Sequence, residues 1–194
     1  PPLFVAPGTT QAAEGHIDLL LARLELVHDQ IRQTDRRTGE LLEAMSEAPE
    51  PRGREHRDVD ILQSMPGIGR KISATMLALA PEAIEQADYH GLRTRAGLAP
   101  VTVASGKSHR VHMRRACDTR LRRALHAMAG VAILRDPAAK AHYVRLRARG
   151  HRHNRALRSV ADRMLRILCA MLHDATLYDP GRSPHHDGVP AQAA

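Results

Sequence analysis

A serine–glycine pair, Ser105-Gly106, stands in a strongly cationic part of the sequence. A serine hydroxyl can attack a phosphodiester only if its proton is removed and the extra charge on phosphorus is stabilised. Neighbouring cations could stabilise that charge, whereas no nearby residue is an obvious general base. Taken alone, such a pair is more typical of a turn. The residues that could bind phosphate beside it are Lys107, His109, Arg110, Arg114 and Arg115.

A second motif has two glycines around one apolar residue and reads Pro66-Gly67-Ile68-Gly69-Arg70-Lys71. It lies between two segments of helical periodicity, 60–65 and 70–79, and is therefore similar to the turn of a helix-hairpin-helix element. Glycines allow a tight turn and a close approach of the backbone to a ligand. Their amides could bind one phosphate, helped by the helix dipole and the two cations. The alternative is a plain turn between two helices.

A third motif is an arginine-rich run from Tyr143 to Arg155. It contains His151 and His153, but further well-spaced metal ligands are lacking, so we predict no metal site in this chain. Contact with phosphate is the favoured interpretation. The arginines expected to make it are Arg145, Arg147, Arg152 and Arg155.

Positive charge is concentrated in residues 92–168. This segment holds 19 Lys and Arg against three acids, a net charge of +16, whereas the rest of the chain carries −8. Uncompensated charge of this density repels itself unless a polyanion neutralises it. The segment therefore predicts a surface for nucleic acid, the alternative being a solvated basic face.

The elements that must position these motifs are mostly helices. Apolar residues at a/d spacing predict a coiled-coil helix over 14–48, which would form a homo-oligomer; packing on its own chain is the alternative. A polar, Pro-broken linker follows at 49–59, and then a main domain at 60–178. We expect disordered tails at 1–13 and 179–194.

Within the main domain, periodicity also indicates a helix at 119–135, a second that starts at Asp136-Pro137 and runs through Tyr143 to Arg149, and a third at 154–173. The only extended-looking segment is 100–103. With one Phe, three Tyr and no Trp, the core must come from Leu, Ile, Val, Met and Ala, a composition that favours helices. The predicted fold class is mostly α: a coiled-coil helix followed by a small helical domain with a helix-hairpin-helix-like element.

Features of membrane or secreted proteins are lacking in the sequence. It has no apolar run of about 18 residues and no signal peptide, so we expect a cytoplasmic protein without membrane contact. The two cysteines, Cys117 and Cys169, are expected to be buried free thiols.

The order of the motifs resembles the C-terminal domain of the insertion-sequence 110/116/902 transposase family. The resemblance covers about residues 60–180, and the preceding helical stretch also fits the family. The ordered set comprises Pro66-Gly67-Ile68-Gly69, Ala96-Gly97-Leu98-Ala99-Pro100, Ser105-Gly106, Leu121-Arg122-Arg123-Ala124-Leu125, Asp136-Pro137, Tyr143, Arg149-Gly150, Ala156-Leu157, Met171-Leu172 and Tyr178-Asp179-Pro180.

This resemblance implies a bacterial DNA transposase built from two parts. In the family, an N-terminal RuvC-like nuclease domain carries acids that bind a divalent metal. The C-terminal domain supplies a serine that becomes covalently joined to DNA, and some members are directed by an RNA from the element. The family's serine falls on Ser105, and its glycine hairpin falls on Gly67 and Gly69. Many relatives have Gly-Asn where this chain has Cys117-Asp118, which puts the local turn in doubt.

Nothing in the sequence corresponds to the nuclease domain. We therefore expect no cofactor in this chain and no cleavage by the chain alone; the expected partners are DNA and a guide RNA. One alternative is a non-catalytic helix-hairpin-helix module of a repair or processing protein, in which Ser105 is dispensable. A tyrosine recombinase using Tyr143 would form a phosphotyrosine link instead. An RNA-binding scaffold without a nuclease partner is the third alternative.

Overall fold

The computed structural model describes residues 8–49, 53, 56–105 and 108–182. Within them the chain forms eight α-helices, a two-stranded sheet and a short 3-10 helix at Pro180–Arg182. The helices are α1 (Thr9–Glu47), α2 (Asp58–Ser64), α3 (Arg70–Leu79), α4 (Pro81–Glu85), α5 (Tyr89–Arg95), α6 (Thr119–Arg135), α7 (Pro137–Ala148) and α8 (His153–Asp174). The mostly α fold class is thus confirmed. Residues 1–7 and 183–194 of the two predicted tails lie outside the described residues.

The chain divides into two units, residues 1–43 and 44–194. Nearly all of the described part of the first unit is helix α1, whose last residues, 44–47, belong to the second. It begins at Thr9, so residues 9–13 are helical and not part of a disordered tail as predicted. The good helix formers Gln11, Ala12 and Ala13 explain the earlier start. Along the a/d stripe, side chains such as Leu24 and Ile31 are 61% and 48% exposed. Self-association through this stripe stays a prediction.

Helix α8 lies at the centre of the second unit. It packs against α2, α4, α5, α6 and α7. Its buried face, which includes Val160, Met164, Leu165 and Leu168, alternates at spacings of three and four, as an amphipathic helix requires. The core of this unit consists of Leu, Ile, Met, Val and Ala side chains, in agreement with the prediction from composition.

Two antiparallel strands interrupt the helices between α5 and α6. Strand β1 (Pro100–Ser105) pairs with β2 (Ser108–Met113), with Pro100 opposite Met113 and Ser105 opposite Ser108. Only the extended character of 100–103 was predicted, because β2 reads Ser-His-Arg-Val-His-Met and lacks an alternating apolar pattern. The hairpin is held by pairing across the turn, which is a property of two segments and not of either one.

Candidate nucleic-acid interface

The glycine turn connects α2 to α3, and its two glycines meet different surroundings. Gly67 has a φ of +91°, and a Cβ there would lie 2.3 Å from the carbonyl oxygen of Met128 on α6. The backbone thus comes close to α6, whereas the sequence suggested a close approach to a ligand. Gly69 is exposed, its φ is −102°, and a Cβ there would meet nothing within 4 Å. The open side of this turn is therefore at Gly69.

An open cavity of about 670 Å³ lies beside the turn. Its lining includes Gly69, Arg70 and Lys71 from the start of α3, and Arg135 from the end of α6. The structure therefore brings the two predicted cations of this motif together with a third that the sequence did not indicate. Three cations around an accessible helix start suit an anionic group such as a phosphate.

The starts of α3 and α8 differ from those of the other helices of this domain. Asp88, Asp118 and Asp136 cap α5, α6 and α7 by accepting backbone N–H bonds. By contrast, α3 begins at Arg70-Lys71 and α8 follows Arg152, and neither start has a side-chain cap or an acid in its first turn. A cation at a helix N-terminus opposes the helix dipole unless an anion joins it. Both helix starts are thus suited to bind an anion.

Ser105 is the last residue of β1, at the tip of the hairpin, and it is exposed. The sequence suggested a turn at this point. Residues on one face of a strand alternate, so Ser105 shares its face with Val103, and the partner of Val103 across the ladder is the exposed Arg110. His109 pairs with Ala104, and Lys107 lies outside the described residues. The structure thus brings Ser105 and Arg110 to one face of an exposed tip.

Arg122 on α6 fastens the base of the hairpin. Its Nε donates to the carbonyl oxygen of Ala96, 3.3 Å away, and its Nη2 donates to the carbonyl oxygen of Arg114 at 2.5 Å. The Ala96 carbonyl precedes β1, and the Arg114 carbonyl follows β2. A Cβ at Gly97, whose φ is +65°, would lie 2.3 Å from Nη2 of Arg122. The glycine therefore leaves the space that the guanidinium needs, a role that spacing in the sequence did not reveal.

Exposed arginines cover the end of α7 and the start of α8. The predicted phosphate-binding residues Arg145, Arg147, Arg152 and Arg155 are all exposed. Arg147 donates to the carbonyl oxygen of His151 at 2.8 Å. Beside them, the Tyr143 hydroxyl lies 2.8 Å from Nδ1 of His153.

Two histidines near these arginines do not add to the positive charge at neutral pH. Burial, followed by the charge of Arg158 and Arg122, lowers the pKa of His126 below its usual value. Burial also lowers the pKa of His142, together with Arg163 and Arg145. Arginine therefore supplies the charge around these positions, and that charge persists across the physiological pH range.

The three acids of the basic segment are all engaged in local structure. Asp118 and Asp136 cap α6 and α7. Backbone hydrogen bonds to Leu121 and Arg120 outweigh burial and hold the pKa of Asp118 below its usual value. Asp162 accepts from Arg93 Nε at 2.7 Å. Among the described residues of 92–168, these acids pair with Arg93 and Arg120 only, so they neutralise few of the cations of this segment.

Within the described parts of the chain, no group of three or more His, Cys, Asp or Glu side chains could hold a metal ion. His153 faces Tyr143, as described above, so it does not form a metal pair with His151. The described helices also include none that is long and apolar enough to cross a membrane. Of the two free cysteines, Cys169 is buried as predicted, whereas Cys117 is only partly buried.

Together these features define a helical domain with exposed arginines at the end of α7 and the start of α8, two helix starts that lack both a side-chain cap and a first-turn acid, and an exposed serine on a hairpin. Residues 59–144 match the model of the family described as "Transposase IS116/IS110/IS902 family". The chain belongs to this transposase family, as the order of its motifs suggested.

Three proteins of insertion elements are similar to this chain. The 43.6 kDa protein of IS110 from Streptomyces coelicolor is 34% identical over 180 residues, which cover 90% of this chain and 40% of the relative. The 42 kDa protein of IS900 from Mycobacterium paratuberculosis is 41% identical over 135 residues, 68% of this chain and 33% of the relative. The 44.8 kDa protein of IS116 from Streptomyces clavuligerus is 30% identical over 177 residues, which cover 91% of this chain and 41% of the relative. This chain thus spans only 33–41% of these relatives.

Proposed function

We propose that this chain is the C-terminal part of an insertion-sequence transposase that works on DNA in the bacterial cytoplasm. In this proposal it binds DNA through the basic segment 92–168 and the start of α3, and it supplies Ser105 as the nucleophile of strand transfer. The observation that supports the serine best is its place at the exposed tip of a hairpin whose base is fastened by Arg122. A nucleophile must reach into the DNA backbone and still be held by a rigid element.

The proposed step conserves phosphodiester bonds. The Ser105 oxygen attacks phosphorus, the bond between phosphorus and one DNA oxygen breaks, and the serine proton ends on that leaving oxygen. A hydroxyl of another strand then attacks the phosphoserine bond and restores the serine. One phosphoester bond forms for each that breaks, so the reaction needs no nucleotide cofactor. Arg110, on the face of Ser105, is placed to stabilise the charge that builds on phosphorus.

A divalent metal in the family's nuclease domain would activate the attacking group, but the acids described in this chain cannot hold it. Asp118, Asp136 and Asp162 are committed to helix caps and to the Arg93 ion pair. This chain's part in the reaction is a hydroxyl with its surrounding cations. We therefore expect that residues 1–194 alone do not nick DNA. Magnesium-dependent nicking by the purified chain would contradict the proposal that the metal-binding acids lie in the nuclease domain.

DNA binding is supported by the two helix starts and by the arginines of α7 and α8. These groups are suited to contact phosphates, which position a duplex without reading its sequence. A guide RNA would present the same phosphate chemistry, and the homo-oligomer would form through the stripe of α1.

The serine is tested in a full-length enzyme that also contains the nuclease domain. We expect Ser105→Ala to bind DNA normally but to lose strand exchange and the covalent protein–DNA adduct. Ser108→Ala, its partner across the ladder, is the matched control and should keep both activities. An adduct that survives Ser105→Ala would show that serine 105 is not the nucleophile.

One observation favours a second candidate. The 2.8 Å hydrogen bond between the Tyr143 hydroxyl and His153 places a base beside a tyrosine among arginines, which is the arrangement of an activated nucleophile. Under this alternative the adduct maps to Tyr143 and disappears in Tyr143→Phe. A non-catalytic helix-hairpin-helix module would form no adduct, and Ser105→Ala would then change nothing that can be measured.

A further inference from the structure

A cavity at the base of the hairpin takes no part in the function proposed above, except that Arg155 at its edge is one of the proposed phosphate-binding arginines. It has a volume of about 420 Å³, which lies in the range of ligand sites, and it is bordered by β2, the segment before β1 and the first half of α8. Arg155, Arg158 and Asp162 supply its charge, while Leu98, Val111 and Met113 supply apolar walls. Val111 and Met113 are 61% and 47% exposed, so their apolar surface is open to a ligand.

Among the described residues that line this cavity, Asp162 is the only acid, and its orientation is fixed. Oδ1 accepts from the Tyr89 hydroxyl at 2.9 Å and from Arg93 Nε at 2.7 Å. Burial, the largest effect, raises the pKa of Tyr89, so this hydroxyl remains a donor near neutral pH. Among the described residues, Oδ2 of Asp162 has no hydrogen-bond partner, so it is the atom that can accept a bond from a ligand.

The mixture of groups restricts what can bind. A carboxylate would repel a simple anion such as phosphate, and two arginines would repel a simple cation. A ligand that carries both a phosphate and a hydrogen-bond donor satisfies every group. An unpaired nucleotide with an exocyclic amino group has this composition, and its flat base can pack between apolar side chains. The chain is poor in aromatic residues, so the walls of this cavity are aliphatic.

We propose that this cavity binds one unpaired nucleotide, with its phosphate at Arg155 and Arg158 and the amino group of its base at Asp162. The inference rests on the proposed function, because the basic segment 92–168 must first bring a strand to the hairpin. It adds a base-reading site beside the serine, where phosphate contacts alone carry no sequence information.

The test compares bases on the same backbone. Affinities of residues 1–194 for labelled decamers of dC and dT, and of rC and rU, are measured by fluorescence anisotropy at pH 7.5. Cytosine presents an amino group where thymine and uracil present a carbonyl oxygen. Since the phosphates are identical, a charge-assisted hydrogen bond to Asp162 should favour the C decamer by about tenfold. The series that shows the preference identifies the strand as DNA or RNA.

Asp162→Asn should then reverse or abolish the preference. Tyr89 and Arg93 both donate to the Oδ1 position, so the amide oxygen takes that place and the amino group takes the place of Oδ2. An acceptor in the cavity thereby becomes a donor, which suits thymine or uracil. Asp174→Asn, near the other end of the same helix and bonded to His173, is the matched control and should keep the wild-type preference.

A second variant does not depend on this hydrogen-bond network. Ser159→Leu fills the cavity from α8 and should remove the preference while leaving the affinity for dT decamers within about twofold. Equal affinities for C and T or U in both series would overturn this inference alone. A preference that survives Asp162→Asn and Ser159→Leu would also overturn it. No binding to any decamer would overturn this inference, and a further lack of binding to duplex DNA would overturn the proposal of a nucleic-acid surface as well.

Discussion

Gly67 and Gly69 stand two residues apart in one turn, yet only Gly67 is required by the packing. Its left-handed φ of +91° disfavours any side chain, and α6 occupies the space that a Cβ would need. Gly69 has an extended backbone and open space around it. The same residue type thus has a structural role at one position and leaves room for a ligand at the other.

We expect Gly67→Ser to lower the free energy of unfolding by about 3 kcal/mol, from backbone strain and overlap with the Met128 carbonyl. In a chain of this size that corresponds to a melting temperature about 10 °C lower. Gly69→Ser is the matched control, because serine is a good N-cap and should leave stability within about 0.5 kcal/mol of wild type. Equal melting temperatures for the two variants would show that Gly67 is not confined as described.

At the scale of elements, the base of the hairpin is attached by the Arg122 guanidinium and by a 2.8 Å backbone hydrogen bond from the Asp118 N–H to the Arg95 carbonyl. Both faces of the hairpin include exposed residues, such as Val103 and Val111, so its own packing contributes little to holding it. Arg122 joins the carbonyls on both sides of it and therefore fixes the direction in which Ser105 is presented. We regard Arg122 as a positioning residue, since it acts on the serine through the hairpin.

Arg122→Ala should release the hairpin while leaving the helical core intact. We expect amide hydrogen exchange in β1 and β2 to become at least about tenfold faster, as loss of charge-assisted hydrogen bonds implies, with exchange in α8 unchanged. The neighbouring Arg123, which is exposed, provides the control Arg123→Ala, expected to exchange like wild type. Faster exchange throughout the domain would instead indicate a general loss of stability.

Helix α1 carries an exposed apolar stripe that includes Leu24 and Ile31. Leu24→Lys and Ile31→Lys together place two charges in its apolar stripe, where burial without a partner is costly. If the stripe pairs with a second copy, sedimentation should show a smaller species for the double variant than for wild type. The control is Glu25→Lys with Arg32→Glu, off the stripe. An unchanged mass for the stripe variant would contradict self-association through α1.

Across the whole molecule, charge is divided between an acidic remainder and the basic segment 92–168. Phosphate contacts release counterions from DNA, so the number of contacts sets the salt dependence of binding. If the basic segment makes those contacts, changing its charge must alter the slope as well as the affinity. Changing charge elsewhere should alter the slope much less.

Reversing Arg145, Arg147, Arg152 and Arg155 to Glu should weaken DNA binding for every sequence and flatten its salt dependence. Each lost phosphate contact lowers the slope of log K against log salt by about 0.9 on duplex DNA. A matched control reverses four arginines of α1 and changes the net charge equally; these are Arg23, Arg32, Arg36 and Arg37. Equal slopes for the two variants and wild type would mean that the basic segment is a solvated face.

Local rules were sufficient to predict the long elements. The bounds of α3 and α6 agree with the predicted 70–79 and 119–135, and α8 extends one residue beyond the prediction at each end. These helices have regular apolar spacing and clear ends, such as Gly69 before α3 and Asp136 after α6, and both signals lie within one segment. The family followed from the order of the motifs for the same reason, because order is a property of the chain itself.

The arrangement of the candidate site depended on contacts between distant segments. β2 became a strand only by pairing with β1, and Asp162 meets Tyr89 across 73 positions of sequence. Nothing in the sequence distinguishes Arg122 from the other arginines, because its role depends on two carbonyls that only the fold brings to it. Spacing along one helix or strand constrains neighbours a few residues apart, whereas a hydrogen bond between remote residues exists only once the core has packed. The sequence alone therefore determined the helices, the charge and the family, and the tertiary structure decided which side chains meet.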